Sequence, residues 1–166
     1  MILVSSPTVR AGASIPREHT ADGGNTSPGV TWRGLPPSTR QIVVAFQDDD
    51  EPVPPPMRPP FLHWVVYNIP PQAKGLPAGI PFAETLTAPP DLLGAAQAYT
   101  AFSYPGYRGP QPPPGQLHHY RLTLFALDRD LELAPALPAN VVLEALAGHV
   151  IGRGELAVTY RREVRG

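Results

Sequence analysis

Four residues of this 166-residue chain combine reactive side chains with telling positions: Asp48, Asp50, His63 and His118. Strand side chains alternate between two faces, so parity along an extended segment assigns each polar residue to a side. In QIVVAFQDDD (41–50), Ile42, Val44 and Phe46 share a face, and the same parity brings Asp48 and Asp50 to it. Asp49 falls with Gln41 and Gln47 on the wetter side. In FLHWVVYNI (61–69), His63 lies with Phe61, Val65, Tyr67 and Ile69. In HHYRLTLFAL (118–127), His118 lies with Tyr120, Leu122 and Leu124, whereas His119 lies with Arg121 and Thr123. Each of the four therefore stands where an apolar face meets a loop. A charge there is costly unless it is paired or left at a cavity mouth. Singly, a strand-end histidine is a hydrogen-bonded rim residue and DDDEP a solvated turn. Matched parity at three strand ends is what makes them a candidate site.

The elements that must position these residues are mostly strands. The segments 41–47, 61–69 and 118–127 are rich in β-branched, aromatic and leucine residues and are bounded by Pro, Gly or Asp. ELAVTY (155–160) reads as a fourth strand, with 2–4 and 30–32 as weaker ones. One helix is expected near the C-terminus, with Asn140 as N-cap after Pro138. Its apolar stripe is Leu143, Leu146, Ala147, Val150 and Ile151, and Gly152 ends it. The segment DLLGAAQA (91–98) is a second, shorter helical candidate, weakened by Gly94. Strands dominate, which predicts a β-sandwich with a few peripheral helices, folded as one domain over 1–166.

Composition narrows the function classes. With 13 Lys+Arg against 14 Asp+Glu, nothing suits the chain to nucleic acid or an anionic membrane. Cysteine is absent, so disulfides, thiolate nucleophiles and cysteine-based zinc sites are excluded. The start MILVSSPTVR lacks a basic signal-peptide region, and a cytoplasmic, soluble protein without membrane insertion is the expectation. The 24 prolines make up more than twice the usual share of about 5%. With 42% hydrophobic residues they argue for short strands joined by stiffened loops rather than for disorder. The densest such stretch, RGPQPPPGQLHHY (108–120), runs straight into the histidine pair.

Four blocks of the chain resemble the phosphatidylethanolamine-binding protein family, specifically its bacterial and archaeal Raf-kinase-inhibitor-like branch. They are HTADGGNTSPGVTWRGLPPST (19–39), DDDEP (48–52), FLHWVVYNIP (61–70) and PGYRGPQPPPGQLHHYRLTLFAL (105–127), in the family's order and spacing. The resemblance implies an antiparallel β-sandwich, binding or modulation rather than turnover, no cofactor and frequent homodimers. It also implies a small anion-binding pocket carried by Asp48, Asp50, His63, Tyr107 and His118. Departures stand out. Asp49 and Glu51 replace the proline and alanine of the family's DPDAP, Gln111 stands where many members have cysteine, and His119 replaces the usual arginine. Thr100 and Ser103 occupy the places of the asparagine and glycine before GY. Asp22 is read as capping a turn.

A pocket for anions that contains two aspartates needs a physical resolution. Two unit charges about 4 Å apart interact by about 4 kcal/mol at an effective dielectric near 20. The expected solution is that one aspartate orients a histidine and raises its pKa, so that the imidazolium faces phosphate or a phosphoethanolamine-like ligand. The Tyr107 hydroxyl donates alongside it, and the second carboxylate holds a cationic group or stays protonated. Two other readings remain open. Asp48, Asp50, His63 and His118 could ligate the metal of a hydrolase, although neither HExxH nor His-x-His spacing occurs. The proline strip could dock an SH3-like domain of a protein partner. A serine hydrolase lacks its G-x-S-x-G elbow.

Overall fold

The unbroken apolar run at the centre of QIVVAFQD follows from burial on both faces of its strand. The protein, seen in a computed structural model that describes residues 1–164, forms two antiparallel sheets. The smaller sheet has the order β1 (Leu3–Ser5), β2 (Val30–Arg33), β5 (Gly75–Leu76). The larger has the order β6 (Ala96–Gln97), β4 (Phe61–Ile69), β3 (Gln41–Asp48), β7 (Leu117–Leu127), β8 (Val150–Arg161). On one face of β3, Ile42, Val44 and Phe46 join Trp32, Trp64, Tyr120 and Leu124 in the main core. On the other, Val43 and Ala45 pack with Val65, Tyr67 and Val142 beneath the helix α1 (Ala139–Ala145). A strand covered on both sides has no polar face to display, so alternation disappears from its sequence. Each such Val, Ile or Phe gains roughly 1.5–3 kcal/mol from burial. The mostly-β architecture with a helix near the C-terminus agrees with expectation. None of the helices among the described residues is long and apolar enough to cross a membrane.

Three local expectations are corrected. The helix spans only Ala139–Ala145, and Pro138 rather than Asn140 is its N-cap residue. Gly148 takes φ 81°, and Val150, Ile151 and Gly152 belong to β8. Valine and isoleucine satisfied the helical spacing, but the ladder with β7 captures them, pairing Gly152 with Ala126 and Val150 with Leu127. Segment 91–98 is not a helix: a 3-10 turn (Pro90–Leu92) leads through Gly94, at φ 88°, into the short strand β6. Third, parity fails along β4. Phe46 pairs with Trp64 but Gln47 with Leu62, so His63 is an extra, bulged residue. A second shift lies between the pairs Ile42–Ile69 and Val44–Val66, where Asn68 has φ 54°. His63 and Ile69 therefore face the main core with Trp64 and Val66, whereas Val65 and Tyr67 face α1.

Candidate functional site

Asp48 closes β3, paired with Phe61 of β4 and Tyr120 of β7. Its Oδ1 accepts the backbone N–H of Asp50 (2.8 Å) and of Glu51 (3.0 Å), which ends the strand in a tight turn. Its Oδ2 lies 2.7 Å from Nδ1 of His118, and both residues are about 95% buried, at 4% and 5% exposure. Nε2 of His118 faces Oε1 of Gln116 at 3.2 Å. The aspartate–histidine pair sought in the sequence is thus Asp48 with His118.

The same turn separates Asp50 from that pair. Strand geometry stops at Asp48, so parity does not carry on to Asp50. Its carboxylate instead accepts the backbone N–H of His119 (2.6 Å) and lies 2.8 Å from that ring's Nδ1. The hydrogen bonds from His119, side chain first and then backbone, hold the Asp50 carboxyl below its ordinary range. Asp49 takes a third partner, the Arg121 guanidinium, at 2.8 and 3.1 Å. Glu51, the fourth acid in the run, brings Oε2 to 4.0 Å from His118 Nδ1.

His63 sits behind this group in an aromatic box. Its ring centroid is 5.3 to 6.0 Å from those of Phe46, Phe61, Phe102 and Tyr120. Its Nδ1–H donates to the Arg108 carbonyl at 2.7 Å. Burial depresses the imidazole to about 4, because a charge there loses its water. His63 is therefore neutral near pH 7 and contributes shape and a bare ring nitrogen, not positive charge.

Tyr107 lies under the site rather than on its wall. It is 1% exposed, stacks on Phe46 and donates its hydroxyl to the His19 carbonyl at 2.6 Å. Burial raises the phenol far above its usual range. That hydroxyl is occupied, and the phenol with a free valence is Tyr120. Its hydroxyl is buried, meets no partner at full hydrogen-bond geometry and has the Asp48 carboxylate as its nearest approach to one; burial, followed by that carboxylate, keeps it protonated. The sequence carried a signal for Tyr120, since it shares the face of His118, but an aromatic in an apolar run reads as core. Arg108 carries the other buried unpaired atom, Nε, with its guanidinium 5.1 Å over the Phe102 ring.

The proline strip is tied down along its length. Pro110 and Pro112 are buried, the Pro110 carbonyl accepts the Ala21 N–H, and Gly115 N–H donates to Arg162. Asp22, expected to cap a turn, clamps the strip to β8 instead. It accepts from Gln111 Nε2 (3.0 Å) and the Tyr160 hydroxyl (2.7 Å), and Arg162 Nε lies at 3.1 Å. Burial pushes this carboxyl upward, but the bonds from Gln111 and Tyr160 and the Arg162 charge outweigh it, leaving it below the usual range. At the strip's start Asn25, held at φ 52°, accepts Gly109 N–H (2.6 Å) and donates to the Tyr107 carbonyl (3.2 Å). Asn25→Ala strands both backbone groups, and an expected loss of about 1–3 kcal/mol is readable by urea denaturation. A loss of a few tenths would mean that the strip is positioned by its prolines alone.

A groove of about 1160 Å³ runs between the acidic loop 48–52 and α1. Arg121, Phe125 and Arg153 are among the residues that line it. It contains neither His63 nor His118. The groove therefore meets the candidate site along the acidic run, where Asp48, Asp50 and Glu51 line both, while the two histidines lie outside it.

Comparison with known proteins bears on this site's ancestry. A UPF0098 protein of Methanothermobacter thermautotrophicus is 40% identical over 148 residues, covering 89% of this chain and 91% of its own. The UPF0098 protein YbhB of Escherichia coli is 38% identical over 133 residues, covering 77% and 78%. The crystal structure of Escherichia coli YbcL, described as a new member of the mammalian PEBP family, superposes with a TM-score of 0.81 at 28% identity. It covers 99% of each chain. The model of the family described as phosphatidylethanolamine-binding protein matches residues 5–161. Nearly the whole chain, including every residue of the site, lies inside that match, and the chain belongs to the phosphatidylethanolamine-binding protein family.

Proposed function

We propose that this protein is a non-catalytic binder of a small phosphate-bearing ligand, of the kind presented by a phospholipid head group or a phosphorylated metabolite. One observation carries the reading. Among the described residues, the buried side-chain atoms lacking a hydrogen-bond partner are Tyr120 Oη and Arg108 Nε, and both are donors. Both belong to the surroundings of His63: the Tyr120 ring is 5.6 Å from it, and Arg108 covers Phe102, itself 5.3 Å away. Leaving a buried donor unsatisfied costs about 1–3 kcal/mol, so two at one place favour a ligand rich in acceptors. His118, oriented by Asp48, supplies a third donor through Nε2 once a ligand displaces the exposed Gln116 side chain that now occupies it. Family membership supports a binding role.

The test is calorimetric titration with phosphoethanolamine and with inorganic phosphate. Binding to the wild-type protein is expected to weaken at least roughly tenfold in His118→Ala, the order of one charge-assisted hydrogen bond. Unchanged affinity in that variant, or no binding of either compound to the wild-type protein, would remove the reading.

A further inference from the structure

We propose that Asp48, Glu51 and His118 form a site for a divalent transition-metal ion of the zinc class, with a coordination position left for an exogenous ligand. Each of the three offers a ligand atom within 4.8 Å of the others. Nδ1 of His118 stands 2.7 Å from Asp48 Oδ2 and 4.0 Å from Glu51 Oε2. Ligand atoms around a tetrahedral ion with bonds of about 2.1 Å stand roughly 3.4 Å apart, between those two distances. Opening the first contact and closing the second by about 0.6–0.7 Å would admit the ion. Glu51, partly exposed on a loop, has the freedom to make that adjustment.

The surroundings already do what outer groups do for a metal ligand. The side-chain Oε1 of Gln116 accepts from His118 Nε2–H at 3.2 Å, which turns Nδ1 toward the two carboxylates. Asp48 Oδ1 is held by two backbone N–H groups, which leaves Oδ2 directed at the histidine. Two carboxylates converging on one imidazole leave an excess of negative charge in a largely buried place, and a dication removes it. Nitrogen in the donor set favours zinc over magnesium or calcium, which prefer six or more oxygens.

A second, independent observation points to a bound ligand. Tyr120 is 1% exposed and its hydroxyl meets no partner at full hydrogen-bond geometry. Water or a phosphate oxygen bound to the ion would accept its hydrogen bond. Glu51 also provides the way in, since Asp48 and His118 are closed from solvent. This proposal goes beyond anion binding and rests on Glu51, which that reading does not use.

The experiment is titration of Zn²⁺ into metal-stripped protein by calorimetry, with the visible spectrum of the Co²⁺-loaded protein as a second readout. About one equivalent of zinc is expected to bind, with affinity falling roughly tenfold or more in Glu51→Ala. His149→Asn, which removes the separate His149–Asp128 pair (3.0 Å), is expected to leave binding unchanged. No zinc uptake, uptake that survives Glu51→Ala, or uptake abolished by His149→Asn would overturn the site. Inorganic phosphate is then titrated into zinc-free and zinc-loaded protein. Zinc binding without phosphate binding leaves the metal site standing and removes the anion reading. Phosphate binding to a protein that takes up no zinc does the reverse.

Discussion

Asp48→Ala is expected to destabilise the protein by about 3–5 kcal/mol, because three buried or part-buried groups lose their hydrogen-bond partner at roughly 1–3 kcal/mol each. Three interactions go at once. The N–H groups of Asp50 and Glu51 lose their acceptor, and His118 loses the carboxylate 2.7 Å from its ring. Asp48→Asn keeps an oxygen for the two N–H groups and gives up the charge, so it should cost less, on the order of 1–2 kcal/mol. Urea unfolding of the three proteins at pH 7 decides the matter through the midpoint, with the slope checked for constancy. Equal stability of Asp48→Ala and the wild type would mean that the turn and the histidine hold their places without it. The pair would then be a consequence of the fold rather than one of its supports.

The second large effect is a loss of stability in mild acid. The unfolded chain takes a proton on His63 near pH 6.5, whereas burial keeps the folded protein from doing so until about pH 4. Between those values the unfolded state binds more protons, so stability falls as pH falls through that window. Above it His63 is neutral in both states and contributes no pH dependence. Below about pH 4 the loss is complete, at roughly 3 kcal/mol from 1.36 kcal/mol per pH unit. Asp50 and Asp22, both held below their ordinary range, lose stabilisation in the same direction at lower pH. A variant is therefore needed to isolate the histidine. His63→Asn, which can still donate to the Arg108 carbonyl, should show a flatter stability curve between pH 7 and pH 4 than the wild type. Parallel curves for the two proteins would place the acid sensitivity elsewhere.

Both results would bear on how the site works. Asp48 holds the His118 ring at 2.7 Å, and His63 is a neutral ring behind that pair, boxed by aromatic side chains. The division of labour between two histidines comes from surroundings, not from residue type. One has a carboxylate at hydrogen-bond distance, and the other has four aromatic rings and a carbonyl.

The strands were readable wherever the residues could be nothing else. β3, β4 and β7 announce themselves through β-branched and aromatic runs closed by Pro, Gly or Asp, and the structure places strands there. β8 was underestimated because Val150 and Ile151 fit helical spacing as well as strand propensity. Eleven residue pairs with β7 decide between those states, and that information lies in another segment of the chain. His63 was assigned to the wrong companions for a related reason. A bulge is a property of two strands in register, so no parity argument along β4 alone could locate it.

The acidic run 48–51 shows where local reading ends. The amino-acid sequence by itself determined that four carboxylates follow a buried strand, that a histidine pair opens another, and that a proline strip stiffens the approach. It also carried the family. Only the tertiary structure decided which acid meets which base. Asp48 goes to His118, Asp49 to Arg121, Asp50 to His119, and Glu51 to the edge of the first pair. Asp48 and His118 are separated by 70 positions in the chain. They meet because the β3–β7 ladder sets Asp48 opposite Tyr120. A turn hydrogen-bonded to Asp48 itself swings Asp50 away from the strand's pleat. Pairing of charges at such range is set by strand register and by one turn, and both are products of the folded chain.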